Sequence, residues 1–339
     1  MSLFTSSGRR AQLGKYWTAL VAAVFFGWAG AVSAQPQQIR ISITSNPADW
    51  SAKALTLFKE RVEASAPGQF NVQVFPNATL FRQGTEVPAL QRGTLDMGGI
   101  ATFEIDVQIP EYAAFSAGYV FRDYEHMKKV FAGEIGREYV SKVRSVMGIE
   151  ILTPILLGTR HITLREARPV RTPADLRGVK LRTPGGPGWL VLGRALGASP
   201  APVAMPEVYL ALKTGTIDGQ ENPLGITVAN KIHEVSKQLV LTGHLVMPVF
   251  LSMSSMVWNK LSPENQAKFH AAAKAAAEFN DTNRLADEGK LIEMMRSQGI
   301  QITTPDLAAF QAAMKKAYLE SDVSKSWQPG LYERVQAVR

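Results

Sequence analysis

The sequence predicts an α/β protein of two closely joined domains, and three observations carry that prediction. Short alternating strands are followed repeatedly by capped helices, the signature of β-α-β units. The chain has 339 residues, enough for two domains of ordinary size, and 46% hydrophobic against 19% charged residues is a globular composition. No low-complexity linker divides it, so several crossings of the chain are expected to join the domains.

The chain opens with a leader. Arg9, Arg10 and Lys15 form a charged zone, Trp17 to Val32 is an apolar run interrupted by Thr18, and Val32-Ser33-Ala34 is a small-residue cleavage site before Gln35. These zones predict a secretory signal peptide over residues 1–34 and an exported, periplasmic mature protein. The apolar run is shorter than the about 20 residues that a membrane anchor needs. No Cys follows the cleavage site, which excludes a lipid anchor there. Arg9-Arg10 leaves the export route open between the general and the twin-arginine pathways.

Beyond the leader, Ile39-Arg40-Ile41-Ser42-Ile43 alternates and reads as a strand. A helix from about Asp49 to Ala64 follows and ends at Pro67-Gly68. Phe70–Phe75 is a second alternating strand, Thr85–Arg92 a helix closed by Gly93, and Leu95-Asp96-Met97 opens another strand. Ile149–Leu157 predicts a buried strand ending at Gly158-Thr159-Arg160. Thr172 caps a short helix whose first residue is Pro173. Val179–Arg182 is the next strand; it feeds Pro184-Gly185-Gly186-Pro187-Gly188 and a helix over Trp189–Leu196. Pro202–Met205 is extended, Pro206–Thr214 is helical up to Gly215, and Ile217-Asp218-Gly219 is extended again. Ser262-Pro263-Glu264 is a strong helix start, and the alanine-rich segment behind it runs to about Gln298, long enough to bridge two domains. The repeated units predict parallel sheets with helices on both faces, and ligand binding beyond the carboxyl ends of the strands.

Composition narrows the chemistry. Cysteine is absent, which excludes disulfides, thiolate catalysis and Cys-ligated metal centres. The net charge of +8 includes the three basic residues of an acid-free leader, and no dense Lys/Arg run interleaved with aromatics follows. Nucleic acid is therefore not an expected partner. His126, His161, His233, His244 and His270 show no metal-ligand spacing, so structural roles are expected for them and no cofactor or metal is called for. Nucleophile-elbow, Walker and dinucleotide-binding patterns are absent.

Arg182 ends a strand and faces the glycine-rich turn. Backbone N–H groups at such a turn attract anions, and a guanidinium beside them matches a carboxylate with two parallel donors. Arg160, at another predicted strand end, converges with it; surface salt bridges are the competing reading. Asp218-Gly219-Gln220-Glu221-Asn222-Pro223 is dense in polar groups. Asp218 and Glu221 are expected to hydrogen-bond their own turn, with the acid–base pair of a hydrolase as the alternative. Asn222 is placed to donate to a ligand. Tyr209, with Glu207 on the same helix, either lines a cleft or packs.

Three stretches together resemble a known family: Arg171-Thr-Pro-Ala-Asp-Leu-Arg-Gly-Val-Lys-Leu-Arg182, Leu196-Gly-Ala-Ser-Pro-Ala-Pro202, and Glu207-Val-Tyr-Leu-Ala-Leu-Lys-Thr-Gly-Thr-Ile-Asp-Gly-Gln-Glu-Asn-Pro223. Phe75-Pro-Asn-Ala-Thr-Leu80, Leu90-Gln-Arg-Gly-Thr-Leu-Asp96 and Leu261-Ser-Pro-Glu264 support them. The pattern is similar to that of the DctP-type solute-binding proteins of TRAP (tripartite ATP-independent periplasmic) transporters, over essentially residues 36–339. The resemblance implies a two-domain, type II-like periplasmic binding fold with its ligand cleft at the hinge and a long domain-spanning helix. It implies one domain from 36–157 plus 248–287 and a second from 158–247 plus 288–339. In that family the Arg matching Arg182 clamps the ligand carboxylate, and the matches of Arg160 and Asn222 assist.

The departures bear on the ligand. Sialic-acid binders of the family carry a Glu near Ala101 and an Asp near Gln83. Met205 stands where Phe is common, and Gly243 where Asn is usual. With Trp189 nearby, these changes point away from a polyhydroxylated sugar acid and toward an organic acid with an apolar body. The expected ligand-binding set is thus Gln83, Arg160, Arg182, Trp189, Met205, Tyr209 and Asn222. The resemblance implies a non-enzymatic, monomeric receptor that hands a small organic acid to TRAP membrane subunits. A periplasmic enzyme acting on a carboxylate, with Asp218 or Glu221 as base, is the alternative, and a polyanion-binding protein rests on the basic balance alone.

Overall fold

The computed structural model describes residues 1–2 and 35–339, so the predicted leader, apart from its first two residues, lies outside the described residues. The described residues include no helix long and apolar enough to cross a membrane.

From Gln37 to Ala101 the elements follow the predicted order. Strand β1 (Gln37–Ser42) leads into helix α1 (Trp50–Ser65), β2 (Phe70–Phe75), α2 (Glu86–Gln91) and β3 (Met97–Ala101). Asp49 caps α1 by accepting Ser51 N–H at 2.9 Å, and Ala54, Leu55, Phe58 and Val62 form its buried stripe. Both β2 and β3 pair in parallel with β1. Short helix α3 (Thr102–Ile105), a 3-10 turn at Pro110–Ser116, α4 (Tyr124–Ala132) and α5 (Glu134–Met147) follow, and α5 ends on Gly148 in the left-handed conformation (φ 64°).

Strand β4 (Ile149–Leu164) then runs through 16 residues. The second half holds β5 (Lys180–Thr183), α6 (Pro187–Ala195), β6 (Ser199–Pro202), α7 (Val208–Thr214), β7 (Gly219–Pro223) and α8 (Leu224–Ala229). The chain returns along β8 (Gln238–Ser254), 17 residues long, to α9 (Ser255–Trp258) and α10 (Pro263–Ser297). It finishes with β9 (Gln301–Thr303), α11 (Leu307–Leu319), α12 (Asp322–Lys325) and α13 (Leu331–Ala337).

The sheet departs from expectation. Among the described residues, one continuous sheet of nine strands runs β2-β1-β3-β8-β4-β7-β5-β6, with β9 beside β8. Pairing is parallel toward both ends, but β8 is antiparallel to β3 and β4, and β4 to β7. The reason is that β4 and β8 each cross from one half to the other, in opposite directions. Two strand-end expectations fall with this. Arg160 lies inside β4, not at its end, and Asp218–Pro223 is mostly strand β7, not a turn.

Helix α10 bridges the halves. Ser262 Oγ caps it by accepting Asn265 N–H at 3.2 Å, with Pro263 at its first position. Its 35 residues span about 52 Å at 1.5 Å per residue. Phe269, Ala272 and Ala276 pack with Phe58 in the core of the first half, and Met295 packs with Leu224 and Leu239 in the second. Midway, buried Arg284 pairs with Asp49 at 2.7 Å. The C-terminal segment crosses back: Arg334 of α13 pairs with Glu138 of α5 at 2.7 Å.

Candidate functional site

A cleft of about 640 Å³, counting the part open to solvent, lies across the middle of the sheet. Ile43, Thr44, Ser45, Gln83, Phe103 and Glu104 line it from the first half. Arg160, Arg182, Pro184, Met205, Asn222 and Asn230 line it from the second, and Met247 and Val249 of β8 form its floor.

Two buried arginines stand in this cleft in opposite electrostatic states. Arg160 is 2% exposed, and its Nε and Nη2 hold both carboxylate oxygens of Glu221, a fork-on-carboxylate pair. Nη2 also donates to the Glu221 carbonyl at 2.8 Å and to Asn222 Oδ1 at 3.0 Å. His244 Nε2 lies 3.2 Å from Glu221, and Thr242 Oγ1 is 2.7 Å from its Nδ1. Burial alone would raise the Glu221 carboxyl, but Arg160 and His244 hold it below its ordinary value. Burial lowers His244, against the pull of Glu221.

Arg182 is 1% exposed and has no such partner. Its Nε donates to the Val203 carbonyl at 2.7 Å, while its buried Nη2 has no hydrogen-bond partner among the described residues. Burial pushes its guanidinium down to about 9, with Glu221 opposing; the group stays charged at neutral pH. A buried, unpaired cation is costly, and an anion entering the cleft would offset that cost.

Five of the seven expected residues meet here: Gln83, Arg160, Arg182, Met205 and Asn222. Gln83 Oε1 accepts Met205 N–H at 3.0 Å, a bond between the halves. The Asn222 amide donates to Met205 Sδ at 3.6 Å and to Gln220 Oε1. Trp189 and Tyr209 are placed elsewhere. Trp189 lies behind Arg160, whose guanidinium carbon is 4.8 Å from the ring centroid, and meets Phe103 edge-on at 5.4 Å. It lines a separate cavity of about 1010 Å³, with Gly186, Pro187, Gly188 and Tyr318. The glycine-rich turn thus faces that second cavity rather than Arg182; only Pro184 reaches the cleft. Tyr209 is half-buried on α7, with Lys213 Nζ 5.9 Å from its ring centroid.

Sequence reasoning missed the parts played by Glu221 and Glu104, while His244 has the structural role expected of it, buried against Thr242 and Glu221. Glu221 stood in a motif already singled out, yet its partner is 61 residues away and is set by sheet register: Ile162 pairs with Glu221, and Arg160 with Pro223. Glu104, three residues past Ala101, accepts Ala101 N–H at 2.8 Å. Burial and the nearby Glu86 push its carboxyl up to about 8. Among the described residues, no group of His, Asp and Glu side chains has the arrangement of a metal site.

The family model of bacterial extracellular solute-binding proteins, family 7, matches residues 41–324. The sialic acid-binding periplasmic protein of Vibrio cholerae is 31% identical over 272 residues, 80% of this chain and 83% of that one. A TRAP periplasmic solute-binding protein of Roseobacter denitrificans, solved with bound 3-deoxy-D-manno-oct-2-ulosonic acid, is 37% identical with a TM-score of 0.86, covering 90% of this chain and 100% of that one. Another from the same organism, solved with bound L-galactonate, is 30% identical with a TM-score of 0.82, covering 90% and 99%. These relatives are binding proteins rather than enzymes, and the two-domain fold with its long helix is theirs as well. The chain belongs to the family 7 bacterial extracellular solute-binding proteins, the DctP-type periplasmic binding proteins of TRAP transporters.

Proposed function

We propose that this protein is the exported receptor of a TRAP transporter, which captures an organic acid by its carboxylate and delivers it unchanged to membrane subunits. The observation that carries this reading is the buried Arg182 guanidinium with an unpartnered Nη2 in the cleft. A ligand carboxylate takes the free N–H donors of Arg182, and Arg160, held by Glu221 of the intervening strand β7, supports it from β4.

The acid is a hydroxylated one. Thr44, Ser45, Ser51, Gln83, Asn222 and Asn230 place uncharged polar groups around the cleft, which suits hydroxyls. The expectation of an apolar body leaned in part on Trp189, which lies outside the lining, although Met205, Ala101 and Gln83, others of its grounds, do line the cleft. The acids bound by the similar Roseobacter proteins support a sugar acid.

Residues 1–34 serve as the export signal, and the receptor acts as a monomer. The lobes are 36–157 plus 248–287 and 158–247 plus 288–339, pivoting where β4, β8 and α10 cross. The enzyme alternative is disfavoured by two contacts: Glu221 is ion-paired with Arg160, and Asp218 accepts Lys180 N–H at 2.9 Å, so neither stands free as a base.

The test is mass spectrometry of small molecules released by denaturing the purified protein, followed by incubation of the identified acid with ligand-free protein. A stoichiometric acid, recovered unchanged, is the expected result. Catalytic consumption of the acid would contradict the receptor reading.

A further inference from the structure

The clamp at Arg182 leaves one charged group of the cleft unexplained. Among the lining residues, only Arg160, Arg182 and Glu104 carry ionisable side chains. Arg160 is neutralised by Glu221 behind it, whereas Arg182 is not. Glu104 belongs to the opposite wall: it sits on α3, just after β3, while the arginines come from β4 and β5 across the sheet. Its Oε2 accepts Ala101 N–H, which orients the carboxyl, and no cation pairs with it among the described residues. The charged groups facing it are Glu86 on α2 and the two arginines across the cleft, while Asp106 on its own segment lines the second cavity. Burial and Glu86 keep it mostly protonated at neutral pH, so it can both donate and accept a hydrogen bond.

We propose that Glu104 sets the charge class of the ligand: it receives a hydroxyl or other uncharged polar group on the side remote from the clamped carboxylate and turns away a second carboxylate, so the site selects monocarboxylates over dicarboxylates. This rests on the clamp reading of Arg182. The charge count explains the selectivity. With Arg160 already paired, the cleft offers one free positive charge, and one ligand carboxylate uses it. A second carboxylate would face no cation, and ionisation of Glu104 would set two like charges side by side.

The experiment is calorimetric titration of wild type and Glu104→Gln at pH 7 and pH 9. The monoacid probes are 3-deoxy-D-manno-oct-2-ulosonic acid, L-galactonate and D-glucuronate; the diacid probes are D-glucarate and succinate. A monoacid should bind wild type, and each diacid should bind about 30-fold more weakly or worse. From pH 7 to pH 9 the monoacid affinity should fall about tenfold more in wild type than in Glu104→Gln, because only wild type gains the Glu104 charge. Arg182 contributes equally to both proteins, so the difference isolates Glu104. A diacid bound as tightly as the best monoacid, or identical pH profiles, overturns the proposal and leaves the clamp standing. No binding by any acid overturns both. Carboxyl-carbon NMR of ligand-free wild type is an independent readout: titration of Glu104 near pH 8 supports the proposal, and full ionisation below pH 6 overturns it.

Discussion

Arg160 and Arg182 are chemically the same residue, buried to the same degree, and their difference lies in their partners. Arg160 holds Glu221 with both arms of its fork; Arg182 spends one N–H on a carbonyl and keeps a buried donor free. Replacing Glu221 with Gln would leave Arg160 as a second uncompensated cation. Breaking a buried pair from one side costs about 3–5 kcal/mol, so urea denaturation of ligand-free Glu221→Gln should show a loss of that size; an unchanged midpoint would contradict the pairing. Glu104 predicts an effect of pH on stability. Its folded carboxyl is raised from 4.5 to about 8, so the folded state binds the proton more tightly than the unfolded chain. The stability this contributes is complete below about pH 4.5 and is lost as pH rises toward 8. Wild type should therefore lose stability relative to Glu104→Gln between pH 5 and pH 8 in thermal melts. Arg182 and Asn222 were legible in the sequence because strand-to-turn junctions of αβ units are where ligands bind; Arg160 is predicted on the same ground but lies inside β4, and pairing with β7 is what brings it to the cleft. Glu221 and Glu104 were not legible, because a carboxylate's role depends on which distant cation it meets, and register decides that.

At the scale of elements, the helices and short strands follow from local chemistry. The helix starts at about Asp49, at Pro173 and at Ser262-Pro263 and the strand Phe70–Phe75 all appear where the sequence placed them. The long strands were not legible at full length. Pro154 and Pro248 interrupt β4 and β8, and prolines argue against central strands. Register shifts at Ile151/Thr153, Leu156/Gly158 and Arg160/Ile162 absorb the irregularity and break the alternation that a reader of sequence relies on. Crossings were expected, but not that two of them are long antiparallel strands, and that is what turned one mixed sheet into an expectation of parallel ones. Gly158 marks the point where β4 bends before delivering Arg160. Its φ is +126°, and a Cβ there would come within 2.6 Å of Pro223 Cβ, next to Asn222. Gly158→Ala should lower the melting temperature by several degrees and weaken ligand binding together, since the strain and the displaced β7 share one cause. A variant with wild-type melting and binding would show that the bend tolerates a side chain.

At the scale of the molecule, the cleft lies where both halves of the sheet contribute walls, and β4, β8 and α10 connect those walls. Gln83 to Met205 and Arg82 to Glu207, at 3.0 Å and 3.2 Å, are direct contacts between them. Rotation about the crossings would part these contacts and admit a ligand. Small-angle scattering with the acid recovered from the purified protein should show a smaller radius of gyration at saturation than without ligand, and the melting temperature should rise because only the folded state binds. Identical scattering curves would argue against closure. The central claim is that the unpaired charge of Arg182 captures a carboxylate, and calorimetric titration of that same acid into wild type, Arg182→Ala and Arg182→Lys tests it most directly, with folding checked by circular dichroism. Removing one partner of a buried charge pair costs roughly 2–5 kcal/mol, so Arg182→Ala should bind about 30-fold more weakly or worse. Arg182→Lys should also bind substantially more weakly than wild type, since an ammonium lacks the two parallel donors. Wild-type affinity in a well-folded Arg182→Ala protein would contradict the clamp.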